Sequence, residues 1–303
     1  MTAVAEETRH ELLGELESLL ADMPPAEQEV LHAALARSRR QMPGATDEIA
    51  LLHGAMKVDG LALTFNELAA ATAKPPLRKY PDAPRFELPR ELVALEHPLQ
   101  RVLTARASRR DFTGEELAIE TFATLLHYAY GVRKTSAAYN LPDFPVRFAP
   151  TAGGLQSVEL YAIVNSIEGL PRGAYHYDPL GHAVELINEG NMRRKLVAFS
   201  TRQEWLHYAS VAIVLAVRPE RLAWKYGARG YRLMHMDVGF VGQNVYLVAT
   251  ALGLRTTAFS GFDEDPFNRM LKLDGEREFA ALMFPIGARE AGKGTTAKRD
   301  AAT

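Results

Sequence analysis

The sequence predicts a mixed α+β fold built on a central mixed or antiparallel sheet. Three observations carry that reading. Short runs rich in β-branched and aromatic residues, VELYAIVNS, VAIVLAV and EFAALMFPIG, are spaced through the second two thirds of the chain. Segments with apolar residues at helical spacing separate them. In GAYHYDPLGHAVELI, two β-type arms flank Asp178-Pro179-Leu180-Gly181, a quartet of turn-forming residues that predicts a hairpin.

In chain order, residues 4–21 predict an amphipathic helix. Leu12, Leu13, Leu16, Leu19 and Leu20 recur at spacings of three and four, with glutamates between them. The DMPP stretch stops it, and AEQEVLHAALARSRRQ starts a second helix with Pro25 near its first turn. Shorter helices are expected over 46–57 and 63–72. KPPLRKYPDAPRFELPREL then packs five prolines into 19 residues, which predicts an extended connector and a domain boundary near residue 95. HPLQRVLTARASRR predicts a helix with an arginine-rich end. LAIETFATLLHYAYG predicts another, with Gly131 as a left-handed cap. After the strand VELYAIVNS and the hairpin, NMRRKLVAFSTRQEWLHYA is helical and VAIVLAV is a central strand. A helix over about 230–252, closed by Gly253, has almost no polar face, so burial is expected on all sides, in the core or in a dimer interface. Gly239 and Gly242 would admit a partner backbone. A strand and turn (LRTTAFSG), a short helix (DPFNRMLKL) and a last strand (EFAALMFPIG) follow. The expected domains are a helical region with connector over 1–95, a main domain over 96–290 and a disordered tail over 291–303.

Composition narrows the function. With 47% apolar and 24% charged residues, the 303-residue chain has an ordinary globular composition. Its formal net charge of −2 argues against a nucleic-acid partner. Having no cysteine, it has no disulfides, thiolate nucleophile or cysteine-ligated metal, and no metal site is expected. No apolar signal core or membrane-length run is evident, so a cytoplasmic protein is expected.

Three segments hold candidate chemistry. In RASRRDF, Arg106, Ser108 and Arg110 offer guanidinium forks and a hydroxyl that suit a terminal phosphate, although a solvated helix end has the same composition. FAPTAGGLQSVELY places a glycine-rich turn at a strand start, where backbone can approach a flat ligand. It matches neither the Walker nor the Rossmann fingerprint. TTAFSGFDED ends a strand in Ser260-Gly261, whose backbone N–H groups could face a ligand.

Together and in this order, these segments resemble the FMN-dependent nitroreductase family. Its R-x-S-x-R-x-F opening is matched by Arg106, Ser108, Arg110 and Phe112. Its Pro-Ser/Thr-x-x-Asn-x-Gln loop is matched by Pro150, Thr151 and Gln156, with Gly154 where many members have Asn. PTAGG…VELY, GAYHYDPLGH, KYGARGYR, DVGFVGQN and ALGL resemble the motifs of its SagB-type, McbC-like branch, and the resemblance covers about 96–290.

The resemblance implies a nitroreductase-like fold and a homodimer with FMN at the subunit interface. Arg106 and Ser108 are then expected to hold the phosphate, and Arg110 the ribityl or pyrimidine side. Thr151, Ala152, Gly154 and Gln156 are expected on the cofactor, the first three from the other subunit. Ser260 and Gly261 are expected beside flavin N5. Branch members oxidise thiazoline or oxazoline rings of ribosomal peptides to azoles and use a Lys-Tyr pair as base, here Lys225 and Tyr226. An adjacent cation favours the tyrosinate, and burial is expected to lower the lysine pKa. A cyclodehydratase or other pathway enzyme is an expected partner. Other readings remain: a flavin oxidase acting on another heterocycle or a quinone precursor, an NAD(P)H-dependent nitro- or quinone reductase, and a non-catalytic flavin-fold protein or a peptide-recognition partner in a synthetase complex. A basic-aromatic helix cap is the plain alternative for Lys225-Tyr226.

Overall fold

A computed structural model describes residues 53, 54, 56, 57, 79–139 and 141–288. The chain divides into two compact units, Met1–Thr64 and Phe65–Thr303. His53 and Gly54 are helical. Met56 is in a turn and Lys57 is irregular, and the remainder of the four expected N-terminal helices, with the tail over 291–303, lies outside the described residues.

The second unit is built on a seven-stranded sheet of order β1-β6-β5-β4-β7-β9-β8, every pair antiparallel. Its strands are β1 (Arg85–Glu87), β4 (Val158–Val164), β5 (Gly173–Asp178), β6 (Ala183–Glu189), β7 (Val211–Val217), β8 (Arg255–Thr256) and β9 (Phe279–Gly287). β4 and β7 pair from Val158↔Val217 to Val164↔Val211 and are buried along their whole length. That burial explains their unbroken apolar runs: helices cover both faces, so alternate side chains enter two different cores. Leu160, Ala162, Ile213 and Leu215 join one core with α2 (Ile119–Tyr130) and α5 (Gly230–Ala251). Tyr161, Ile163, Ala212 and Val214 join the other with α3 (Arg193–Phe199) and α6 (Glu264–Met270). Burying each large apolar side chain contributes about 1.5–3 kcal/mol. The hairpin read at Asp178–Gly181 is β5–β6, and Gly253 closes α5 at φ 72.

Several expectations are corrected. The proline-rich connector carries an edge strand: β1 pairs with β6, and its flanking prolines suit an edge. Glu159, His176, Glu185, Tyr161 and Glu278 form buried polar contacts beneath it, and Lys79 joins Tyr161 and Glu278. The helix before the arginines, α1 (Leu99–Ala105), stops at Arg106, so the Arg-Ser motif is loop. Gly131 caps α2 at φ −64 and ψ 172, not in the left-handed region, and it is glycine because a side chain would strike the His127 carbonyl. The segment after Met192 breaks where Thr201 and Arg202 take φ 51 and 56. A second two-stranded sheet, β2 (Val132–Ala138) with β3 (Leu141–Arg147), was not anticipated, because Pro142 and Pro145 and a polar exposed face hide its period. Finally, α5 is not buried all round: Tyr231, Met236 and Phe240 are 50%, 51% and 48% exposed along one side.

Candidate functional site

The glycine-rich segment is a 3-10 turn, Ala152–Gly154, entered from extended Thr151. Gly153, Gly154 and Gln156 have φ of 59°, 73° and 57°. Left-handed backbone is easy for glycine and unfavourable for Gln156, so the turn needs outside support. Asp237, buried on α5, supplies it. One carboxylate oxygen accepts the Ala152 N–H at 2.8 Å and the other accepts the Ser157 hydroxyl at 2.6 Å. Burial raises the Asp237 pKa above the usual aspartate value, even though these donors favour the anion. Thr151 Oγ1 accepts the Gln156 N–H at 3.1 Å. The Gln156 side chain is buried and committed inward: its Oε1 accepts from Arg147 Nε at 3.0 Å and its amide donates to the Pro145 carbonyl.

Lys225 and Tyr226 end α4 (Glu220–Tyr226), which Gly227 terminates at φ 53. They therefore sit on a short helix of their own, one 3-10 turn before α5. Arg221, one turn earlier on α4, donates to the Gln156 carbonyl at 2.6 Å and pairs with Glu159. Two helices thus hold the glycine-rich turn, α5 through Asp237 and α4 through Arg221. The result brings the turn and the Lys-Tyr pair together. A Cβ built on Gly153 would lie 2.6 Å from Tyr226 Oη and 3.2 Å from Lys225 Nζ. Gly154, by contrast, would meet nothing within 4 Å and leaves an open cradle.

The lysine does not behave as its burial alone suggested. Desolvation lowers the Lys225 pKa, but hydrogen bonding and charge from Tyr139 and Tyr226 outweigh it and hold the group above the usual lysine value. Lys225 is an ammonium at neutral pH, because it is only partly buried and two phenol oxygens face it.

Arg106 and Ser108 meet at Tyr246, and Arg110 and Gly261 are linked through Trp205 and Phe259. Ser108 Oγ hydrogen-bonds Tyr246 Oη at 2.8 Å, and that oxygen accepts the Ala258 N–H at 2.7 Å. The Arg106 guanidinium stands 5.2 Å from the Tyr246 ring, and the Arg109 N–H reaches the Thr256 carbonyl at 2.8 Å. Arg110 lies 5.7 Å from the Trp205 ring, which meets Phe259, and Phe259 in turn packs against Gly261. Ser260 borders a cavity of about 440 Å³ that Tyr231, His235, Phe262, Glu264 and Phe279 also line.

Ser260 apart, the candidate residues therefore fall at two places along α5. Asp237 marks one and Tyr246 the other, nine positions on, about 13–14 Å along the helix axis. Asp237, Tyr246, Arg221 and Tyr139 were not singled out from the sequence. Asp237 opens the quoted segment DVGFVGQN, which was its available signal; the other three had none.

These residues fit a flat cofactor with a terminal phosphate: Arg106, Arg110 and Ser108 supply directed donors, and at Gly154, where a Cβ would meet nothing within 4 Å, the backbone is open to close approach. A sequence profile described as the Nitroreductase family matches residues 103–288. The chain is 31% identical over 194 residues to a protein of Methanocaldococcus jannaschii named as a nitroreductase, covering 64% of this chain and 92% of that one. It is 30% identical over 141 residues to the microcin B17-processing protein McbC of Escherichia coli, covering 44% of this chain but only 51% of McbC. In fold it is similar to a chain of the Escherichia coli microcin synthetase McbBCD complex with truncated pro-MccB17 bound. That match has a TM-score of 0.53 and 19% identity, and covers 91% of this chain and 98% of the other.

Proposed function

Since the chain belongs to the nitroreductase family and is an oxidoreductase, we propose that it is an FMN-dependent dehydrogenase oxidising azoline rings to azoles in a peptide natural-product pathway. The observation that carries this reading is the contact of Gly153 with Tyr226 and Lys225, which sets an acid/base pair against the turn suited to a flat cofactor. The likeness to a microcin-processing protein supports a peptide substrate.

Arg106 and Ser108 would hold the FMN phosphate, Arg110 the ribityl or pyrimidine side, and Thr151, Ala152 and Gly154 the ring system, with Ser260 and Gly261 offering backbone N–H groups near N5. Gln156 serves through its backbone and by fixing the turn. Bound FMN supplies a hydride acceptor. Azole formation removes one proton and one hydride from neighbouring ring carbons, so the protein must take the proton. With Lys225 kept cationic, Tyr226 would take the proton as its phenolate, whose negative charge the Lys225 ammonium balances until the proton arrives and leaves the neutral phenol. Asp237 and Arg221 keep the turn where that geometry is maintained.

The phosphate and ring groups lie apart on one chain, so the site is read as completed between two copies, as a homodimer whose contact includes the exposed side of α5.

The test is mass spectrometry of an azoline peptide incubated with the yellow protein, where each ring oxidised loses about 2 Da, the two hydrogens the reaction removes. Heat-released chromophore should be FMN. Tyr226→Phe and Lys225→Ala should keep flavin and lose about 10²–10⁴ in the rate of flavin reduction by the peptide, the usual cost of removing a general base. Arg106→Ala should instead weaken FMN about 10- to 150-fold, the loss of one charge-assisted phosphate contact. A chain that leaves the peptide unchanged but reduces nitroaromatics with NAD(P)H, indifferent to both substitutions, would be a reductase like its namesake relative.

A further inference from the structure

Lys225 is held from across the fold as well as from its own helix. Tyr139, in the turn between β2 and β3, accepts a hydrogen bond from Lys225 Nζ at 3.1 Å and donates one to the Gly153 carbonyl. The lysine nitrogen also stands 5.2 Å from the Tyr139 ring. The ring itself is wedged between Phe144 of β3 at 5.4 Å and Trp224 of α4 at 6.0 Å. Tyr139 takes φ 51, a conformation bulky side chains rarely adopt, so the surrounding contacts over-determine its place. Nothing in the hairpin's own pairing requires a hydroxyl there, since both of the groups it meets belong to other elements.

We propose that Tyr139 is a positioning residue for Lys225, tying the ammonium to the glycine-rich turn through one shared hydroxyl. The inference deepens the reading of Lys225 and Tyr226 as the acid/base pair, and its interest for catalysis rests on that reading. Its geometry does not. A phenol oxygen between an ammonium and a carbonyl orients the first toward the second and spares the lysine from swinging into solvent. Among the described residues, Tyr139 from the hairpin turn and Tyr226 from α4 are titratable groups that face Nζ, whereas the glycine-rich turn presents backbone. Removing the Tyr139 hydroxyl removes a contact that favours the charged amine, so Lys225 should lose its proton at lower pH.

The measurement is the acylation rate of Lys225 in the full chain as purified, followed by peptide mapping across about pH 7 to 12.5, far enough to pass an ordinary lysine pKa of about 10.4, for wild type and Tyr139→Phe. The phenylalanine keeps the ring that packs on Phe144 and Trp224, so the turn stays folded. The midpoint of the rate–pH curve should fall in the variant, with the same alkaline plateau. Near pH 9 the variant should react about three- to tenfold faster, a modest factor because Lys225 is partly solvated. An unmoved midpoint overturns the proposal. So does a rate raised by one factor at every pH, which would report access alone. This readout needs neither substrate nor flavin chemistry. A shifted midpoint in a protein that oxidises no azoline would sustain the positioning and discard only the reaction.

Discussion

Asp237 illustrates how a buried acid can act through backbone. It touches neither Lys225 nor Tyr226 in any contact described, yet it accepts from Ala152 and Ser157 on either side of the left-handed turn. Asp237→Ala strands two donors in the interior, at about 1–3 kcal/mol for each group left unpaired. The melting temperature should fall and flavin retention with it, whereas Asp237→Asn, which keeps one acceptor oxygen, should be milder. Equal flavin retention in Asp237→Ala and wild type would show that the turn stands unaided. His176 makes a second prediction. It lies buried between Glu159 at 3.0 Å and Glu185 at 3.1 Å. Burial opposes its charge, but the two carboxylates outweigh burial and raise its pKa above the ordinary 6.5. A raised histidine contributes stability fully below the unfolded value and loses it as pH rises through the folded one. Melting temperature should therefore decline on the alkaline side of about pH 7. In His176→Gln it should start lower and decline less steeply. Parallel curves would remove His176 as the cause.

Among the elements, α5 sets Gly239 and Gly242 to different tasks. Gly242 faces inward: a Cβ there would stand 2.8 Å from Phe284 Cζ. Gly242→Val should overpack the core and cost about 1–3 kcal/mol of stability, read as a lower denaturation midpoint. Gly239 lies on the exposed side with Met236 and Phe240, and a Cβ there would meet nothing within 4 Å. Gly239→Leu should leave the fold of a single chain intact, since leucine is the better helix former by about 0.8–1 kcal/mol. If two copies meet on this side, the same change should shift the protein toward monomer in light scattering and weaken flavin binding. An unaltered dimer with full flavin would put the interface elsewhere.

For the whole molecule, the question is which chain supplies which part of a site. Arg106 and Lys225 belong to the two groups separated along α5, so a site shared across a dimer takes one from each copy. If the protein is such a dimer, Arg106→Ala should lose activity through weakened FMN and Lys225→Ala through the lost acid/base pair. Refolded together in equal amounts, they form mixed dimers in which one site carries both mutations and the other carries neither. Random pairing then restores about a quarter of wild-type sites, by the symmetry of a closed dimer. No recovery in the mixture would mean that each chain builds its site alone.

Some of this was legible in the sequence, because it is local. The apolar runs of β4, β7 and β9, the hairpin at Asp178–Gly181 and the close of α5 at Gly253 follow from side-chain period and turn chemistry within ten or so residues. The motif residues were legible by type and order, as RASRRDF, PTAGG, KYG and FSG. The polar, proline-bearing hairpin β2–β3 has no such period, and the edge strand β1 needed β6 beside it to exist. What only tertiary structure decided is convergence. Tyr139 meets Lys225 across 86 positions, and Asp237 meets Ala152 across 85. It also decided that two phenol oxygens face Lys225, which reversed the shift its burial alone would give. Proton affinity depends on every charge and dipole within a few ångströms, and folding alone determines which groups those are.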